Sequence, residues 1–226
     1  MARTKLNSKR NEIALTTGHE KRVPKRERTR QKIIASAISV FSARGIASSS
    51  LKEIAVDAGV TVGTVYNHFK GRTDVVAAVS VSIIRELEQR ALESRRVLPR
   101  GAERMANGCL RYLAIARQTP KRAMLILELA VNAPDLLRTI GTVVRSDIQL
   151  GVRQKDFRIF GETAAVDLVH GVVMLGMRYI ALGRMPAGYE QSVVATVLQG
   201  LGLPAKRALE LARHGAVGTT GRQRRT

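Results

Sequence analysis

Residues 48–69 have the sequence SSSLKEIAVDAGVTVGTVYNHF, which predicts two short helices on either side of a tight turn. Ser50 begins a capping box (Ser-x-x-Glu), so the first helix starts directly after it. Gly59 interrupts this helix, because glycine adopts the left-handed conformation that a tight turn needs. Thr61 then caps a second helix, predicted over Val62–His68. Two short helices around a glycine-containing turn are typical of a helix-turn-helix.

The rest of the chain is predicted to be helical as well. Apolar residues recur at helical spacing before the motif, and Gly45 is placed to end that first helix. Because strand alternation and hairpin signals are absent, the expected fold class is all-α, with about nine helices. The last predicted helix either ends at Leu201 or continues through Pro204 to His214. The predicted helices outside the motif are Thr29–Arg44, Thr73–Ser94, Ala102–Arg117, Lys121–Asn132, Asp135–Lys155, Glu162–Leu182 and Tyr189–Leu201.

The second helix of the motif has an inner side and an outer side. Val65 is expected to pack inward between the helices, and Phe69 is expected in the core. The outer side presents short side chains that can approach base edges in a major groove, and Gly63 lets the backbone come close. Tyr66 and Lys70 suit phosphate contacts, and the serines before the first helix lie at a terminus that favours phosphate. The predicted nucleic-acid contacts are Ser48, Ser49, Ser50, Lys52, Thr61, Val62, Gly63, Thr64, Tyr66, Asn67 and Lys70. His68 lies on the same outer side.

Several of these residues have a purely structural alternative. Ser50 and Thr61 are helix caps first, and Tyr66 could belong to the core. Thr64 and Asn67 have no obvious structural duty in the sequence, so contact with nucleic acid is the preferred interpretation for them.

The charge of the chain favours an anionic partner. Lys and Arg number 38 against 18 Asp and Glu, giving a formal net charge of +20. Nucleic acid is the first candidate partner and an anionic membrane the second. Residues 1–28 and 206–226 together carry +11 of this charge. We therefore predict a disordered basic arm at 1–28 and a disordered basic tail at 215–226, which either add phosphate contacts or only aid solubility.

Other classes of protein find little support in the sequence. Cys109 is the only cysteine, which excludes an intrachain disulfide and fits a reducing cytoplasm. The four histidines lie far apart, so no metal or other cofactor is predicted. The sequence has no glycine-rich phosphate loop and no nucleophile elbow, so an enzyme is not expected. Ala164–Leu182 is the most apolar segment, but Asp167 and Arg178 interrupt it, and a buried helix is favoured over a membrane span.

The segment from Arg30 to Val79 resembles the DNA-binding domain of the tetracycline-repressor (TetR) family of bacterial regulators. The resemblance lies in helix one with its Gly45, in the IA..AGV pattern of Ile54–Val60, and in GTVYNHF at residues 63–69. Two departures, the serines before helix two and the Arg-Thr-Asp after the recognition segment, do not threaten the fold.

The resemblance implies a three-helix DNA-binding domain at 29–75, followed by a helical ligand-sensing and dimerisation domain at 76–214. It also implies that His68 contacts a phosphate or a base. It implies a sequence-specific regulator that binds a palindromic DNA operator as a homodimer, by default a ligand-responsive repressor. The alternatives are an activator of the same family and a sequence-independent nucleoid-type protein.

A single short helix contacts few base pairs, so two half-sites and a two-fold dimer are expected. The apolar stripes of the last two long helices are the predicted interface, with ordinary intrachain core as the alternative: Val166, Val169, Val173, Met177, Ile180, Val193, Val194, Val197 and Leu201. For a small-molecule effector, whose identity the sequence does not give, the candidate pocket residues are Met105, Cys109, Tyr112, Met124, Leu127, Glu128, Met174 and Arg178. The alternative for the methionines is plain core. Glu128 and Arg178 either orient a ligand, form a buried pair or lie on an exposed rim.

Overall fold

The computed structural model describes residues 24–214, which form ten helices and no strand. The predicted all-α fold is therefore confirmed. The predicted tail at 215–226 and most of the predicted arm lie outside the described residues. The helices are α1 (Lys25–Arg44), α2 (Leu51–Asp57), α3 (Val62–Tyr66), α4 (Arg72–Val97), α5 (Gly101–Gln118), α6 (Pro120–Asn132), α7 (Pro134–Arg153), α8 (Glu162–Ala181), α9 (Tyr189–Gly200) and α10 (Ala205–His214).

The first helix begins four residues earlier than predicted. Pro24 precedes it, and the Arg28 amide donates to the Pro24 carbonyl oxygen over 3.0 Å. The prediction that the arm extends to residue 28 is wrong, because Lys25–Arg28 form the first turn of α1. These residues are charged and have no apolar period, so their helicity left no signal in the pattern.

The tenth helix arises from a break after α9. Gly202 has a φ of +92°, and the Leu203 amide donates back to the Leu198 carbonyl oxygen over 3.0 Å. The left-handed backbone at Gly202 and this hydrogen bond end α9, and α10 starts as a separate helix after Pro204. The count is consequently ten rather than about nine.

The helices form two connected groups. In the first group α2 packs on α1 and α3, and α1 also packs on α4. In the second group α5 is central, with α6, α7, α8, α9 and α10 against it. Contacts of α1 with α6, and of α4 with α7 and α5, join the two groups. As expected for a chain poor in aromatics, the core is mainly aliphatic.

Two glycines allow α5 and α7 to cross at very short range. A Cβ atom added at Gly101 would lie 2.4 Å from the Gly151 amide nitrogen and 2.6 Å from the Asp147 carbonyl oxygen. The Gly101 amide donates to the Gln154 side chain over 2.8 Å. The start of α5 is thus held against the last turns of α7 by backbone contact, which no larger residue would permit.

The residues predicted to form a dimer interface lie instead inside the protomer. All nine are at most 7% exposed, because α8 and α9 turn their most apolar sides toward α5 and toward each other. As a surface for a second subunit, the predicted set Val166, Val169, Val173, Met177, Ile180, Val193, Val194, Val197 and Leu201 is wrong.

The opposite side of α8 carries a second apolar stripe. Its residues are partly or fully exposed. They are alternately four and three positions apart in the sequence, which is the spacing of a coiled-coil seam. Among the described residues, α8 is also the one helix long and apolar enough to cross a membrane by length and composition. The stripe consists of Ala164, Leu168, Gly171, Leu175, Arg178 and Leu182.

Candidate nucleic-acid interface and internal cavity

The turn between α2 and α3 is built by local hydrogen bonds. Gly59 has a φ of +59°, and its amide donates to the Val56 carbonyl oxygen over 3.0 Å. The Val60 amide donates to the Ala55 carbonyl oxygen over 3.0 Å. This pair of bonds is a Schellman motif, which ends α2 and fixes the direction in which α3 leaves.

The inner side of the motif is a small core. Val65 is fully buried, and Phe69 is 2% exposed, as predicted. The Arg30 guanidinium of α1 lies over the Phe69 ring, 5.1 Å from its centroid. Because Val65 is buried on this side of α3, the exposed residues of the helix lie on its other side.

The outer side of α3 is a continuous polar surface. Thr61, Gly63 and Asn67 are exposed, Tyr66 is 57% exposed, and Lys70 follows just beyond the helix. Val62, Thr64 and His68 border this surface and are half-buried. The helix itself ends at Tyr66 rather than at the predicted His68. We call the eight residues Thr61, Val62, Gly63, Thr64, Tyr66, Asn67, His68 and Lys70 the α3 surface.

Thr64 has a structural duty that the sequence did not reveal. Its amide donates to the Thr61 hydroxyl oxygen over 3.1 Å, and the two hydroxyl groups lie 2.9 Å apart. Thr61 is the N-cap of α3, as predicted. The two threonines therefore hold each other at the start of the helix.

The three serines before α2 fall into different environments. Ser49 is 4% exposed, and its hydroxyl donates to the Gly45 carbonyl oxygen over 2.7 Å, so this side chain is absent from the surface. Ser48 is exposed. Ser50 forms the predicted capping box with Glu53, and hydrogen bonds from Ser50 lower the pKa of the Glu53 carboxyl group.

Basic side chains surround the motif. Lys52, on the first turn of α2, is exposed, and so are Lys25, Arg26, Arg28 and Lys32 of α1. Gly59 is close to one of them, because a Cβ atom added there would lie 3.5 Å from the Lys32 Nζ atom. Positive charge on α1 thus extends to the turn between α2 and α3, which favours contact with phosphate.

Glu128 connects the motif to the second group of helices. Its carboxylate oxygens accept the Ile46 amide hydrogen over 3.0 and 3.1 Å. Ile46 lies in the loop between α1 and α2, whereas Glu128 lies on α6. The predicted role of Glu128 in a pocket is wrong, because its carboxylate holds this loop and does not line the cavity described next.

We expect Glu128→Ala to lower the free energy of unfolding by about 1.5–3 kcal/mol, the usual contribution of a hydrogen bond to a charged group. Glu128→Gln keeps one side-chain oxygen as an acceptor, so its free energy of unfolding should fall much less. Urea denaturation of the three proteins measures the difference. Unchanged stability of Glu128→Ala would show that the hydrogen bond to Ile46 contributes nothing.

An internal cavity of about 100 Å³ lies among α4, α5, α6, α7 and α8. Five of the predicted pocket residues line it: Met105, Cys109, Tyr112, Leu127 and Met174. Met124 and Arg178 do not, and Arg178 is exposed on the outer side of α8. The apolar pattern places a residue on a helix, but the rotation of that helix decides whether the side chain faces inward.

Burial affects the ionisable groups around the cavity. It raises the pKa values of Cys109 and Tyr112, each to about 12, and also raises that of Asp147. Asp147 is 7% exposed and pairs with the Arg95 guanidinium over 3.3 Å. Burial lowers the pKa of His170, whose Nε2 atom is buried without a hydrogen-bond partner. The cavity wall therefore disfavours charge, and His170 Nε2 is a buried polar atom without a hydrogen-bond partner.

A helix-turn-helix with basic surroundings, joined to a helical domain with an internal cavity, is the architecture of a DNA-binding regulator. Two family models match the chain: bacterial regulatory proteins of the tetR family over residues 33–79, and the tetracyclin repressor-like C-terminal domain over residues 100–214. The chain belongs to the TetR family.

Individual relatives agree with this assignment. The chain is 48% identical over 62 residues to the HTH-type transcriptional regulator SrpR of Pseudomonas putida, covering 27% of this chain and 29% of SrpR. It is 31% identical over 133 residues to the HTH-type transcriptional regulator AcrR of Shigella flexneri, covering 58% of this chain and 60% of AcrR. The chain thus matches less than two thirds of the length of either relative.

Solved structures share the fold over most of their length. A gamma-butyrolactone receptor superposes with a TM-score of 0.64 at 25% identity, covering 87% of this chain and 100% of that one. RolR in complex with resorcinol superposes with a TM-score of 0.66 at 24% identity, covering 84% and 96%.

Proposed function

We propose that this chain is a sequence-specific transcriptional regulator that binds an inverted-repeat DNA operator as a homodimer. The observation that carries the proposal is the α3 surface: short polar groups and Tyr66 are exposed on a helix whose other side is buried in the motif core. Such a surface suits direct contact with base edges, with Lys70 and the basic residues of α1 on the phosphates. We further propose that this regulator is cytoplasmic and is not an enzyme, because its family consists of transcriptional regulators.

The proposed contact set differs slightly from the one predicted by sequence. Ser49 leaves it because its side chain is buried. Ser48, Ser50 and Lys52 stay, at the exposed start of α2, together with the α3 surface. Lys25 and Lys32 join it as phosphate contacts.

Dimerisation is proposed through the outer side of α8. The stripe from Ala164 to Leu182 has coiled-coil spacing, and its Leu175 is 50% exposed in the single chain. Gly171 is exposed with open space around it, so a second helix can approach closely there. Phe160, just before α8, is fully exposed and lies next to the start of this stripe.

The cavity is proposed as the site of a small-molecule effector that releases the operator. One structural relative is described as a receptor for gamma-butyrolactone, and another was solved with resorcinol. An effector can shift the protein toward a state that does not bind DNA only by its differential affinity for the two states. Helix α6 supplies both cavity-lining Leu127 and the adjacent Glu128, so a displacement of α6 would reach the loop before α2 directly. Repression is the expected mode; activation is the alternative within the family.

The test is selection of random duplex DNA on the purified chain at near-physiological salt, followed by sequencing. We expect one inverted repeat whose half-sites are about 34–36 Å apart, one turn of DNA. Recovery of no common sequence, with tight but strongly salt-dependent binding, would instead support a sequence-independent nucleoid protein.

Leu175→Asp separates dimerisation from DNA contact. A carboxylate in the centre of the α8 stripe should leave the free chain folded, because Leu175 is half-exposed. We expect the variant to sediment as a monomer and to lose preference for the full inverted repeat over a half-site. Val131→Asp on α6 is the control, since Val131 is 77% exposed but lies outside the stripe. A dimeric Leu175→Asp protein would contradict the proposed interface.

A further inference from the structure

The size of the cavity limits what can bind inside it. Its volume of about 100 Å³ is somewhat smaller than that of an engineered protein cavity, about 150 Å³, that binds benzene. A single small ring is therefore the upper limit without rearrangement of the helices. Met174 and Met177 lie in the wall, and their unbranched side chains can adjust to a ring more easily than leucine or valine.

Arg95, Arg104 and Asp147 are charged residues of the cavity wall that bond to one another or to nearby backbone. Arg95 donates to the Asp147 carboxylate and to the Val143 carbonyl oxygen over 3.3 Å each. Arg104 donates to the Leu98 carbonyl oxygen over 2.6 Å and to that of Arg95. These arginines hold the ends of α4 and α5 and neutralise Asp147. The wall also contains Glu88, Arg90 and Arg111, but most of its residues are apolar, so burial of an ionised ligand there would be costly.

Two buried polar atoms of cavity-lining residues have no hydrogen-bond partner, His170 Nε2 and Arg95 Nε. His170 lies on α8 beside Met174, within the apolar part of the wall. Buried polar atoms without partners are rare in folded proteins and often mark a place where another group binds. A hydroxyl group can serve a neutral imidazole nitrogen whether that nitrogen carries a proton or not, because a hydroxyl both donates and accepts.

We propose that the cavity binds a compact, uncharged, single-ring molecule bearing a hydroxyl group, which hydrogen-bonds to His170. This inference rests on the proposed effector role of the cavity and specifies the chemistry of the effector. A phenol meets each condition, since it has one ring and one hydroxyl and is neutral near pH 7, as the tyrosine side chain is.

The test is isothermal titration of the purified full chain, without DNA, using four probes. We expect phenol to bind more tightly than benzene, and benzoate and decanoate to give no heat of binding. Benzoate has the ring but carries a charge, and decanoate is both charged and too long. Tighter binding of benzoate or decanoate than of phenol would overturn the inference.

Two variants locate the binding. His170→Phe replaces imidazole with another aromatic ring that has no nitrogen, and we expect it to weaken phenol binding about tenfold while leaving benzene binding unchanged. Gly108→Leu places a side chain at a cavity-lining position where an added Cβ atom meets nothing within 4 Å, and it should abolish binding of both probes. Phenol affinity unchanged in both variants would place the site elsewhere and refute the proposal.

Failure here is distinguishable from failure of the proposed function. The titration needs no DNA, so it reports on the cavity alone. If an inverted repeat is recovered but phenol does not bind, the chemistry assigned to the effector is wrong and the regulator function stands. If phenol binds but no operator is recovered, the cavity assignment stands and the DNA-binding proposal falls.

Discussion

Gly101→Ala is expected to destabilise the chain by roughly 3 kcal/mol, the upper end for an overpacked core. The added methyl group would lie 2.4 Å from the Gly151 amide nitrogen and 2.6 Å from the Asp147 carbonyl oxygen, and both atoms belong to the backbone of α7. Backbone cannot change rotamer, so α5 and α7 must separate to admit the methyl group. Separation would also lengthen the bond from the Gly101 amide to Gln154, now 2.8 Å. Thermal unfolding followed by circular dichroism measures the loss.

Gly108→Ala is the matched control, on the same helix. An added Cβ atom there meets nothing within 4 Å. Since glycine in a helix interior costs about 0.5–1 kcal/mol relative to alanine, this variant should be slightly more stable than the parent chain. If both variants melt at the parent temperature, the close crossing of α5 and α7 does not limit the fold.

Gly63→Leu is expected to weaken operator binding roughly 100-fold, or by about 2.7 kcal/mol, and to leave the protein folded. Gly63 is exposed on α3, and an added Cβ atom would lie 3.8 Å from the Thr61 hydroxyl oxygen, an ordinary contact. The side chain therefore has room in the free protein but occupies the space where the proposed interface brings backbone close to DNA. Fluorescence anisotropy on the selected operator measures the affinity.

A graded series sharpens this experiment. Gly63→Ala adds one methyl group, so it should weaken the operator less than Gly63→Leu and should slightly stabilise α3. Binding to random DNA at low salt should change little in both variants, since phosphate contacts dominate there. Full operator affinity in Gly63→Leu would remove α3 from the proposed interface.

The local structure of the motif was predictable because its signals are short-range. The capping box of Ser50, the positive φ of Gly59 and the N-cap of Thr61 each depend on residues within a few positions, and all three are present in the structure. The pairing of Thr64 with Thr61 is equally local, but two threonines three positions apart have no single preferred arrangement. Ser49 shows the same limit, since its burial depends on a hydroxyl turning back to Gly45.

The wrong predictions concern which partner covers an apolar surface. The stripe of Val166 and Met177 is apolar with helical period, and the pattern does not distinguish burial by the same chain from burial by a second one. The structure buries it in the protomer and leaves the weaker stripe around Leu175 outside. Glu128 and Arg178 both interrupt apolar segments, yet one holds a loop 82 residues away in sequence and the other faces solvent. Only the three-dimensional packing separates these cases.

The position of Cys109 has a practical consequence. It is the only thiol in the chain, and it is buried in the wall of the cavity with a pKa raised to about 12. Since thiolate is the reactive form, alkylating reagents should modify it very slowly while the helices stay closed. The labelling rate of Cys109 therefore reports how often the interior of the protein opens to solvent.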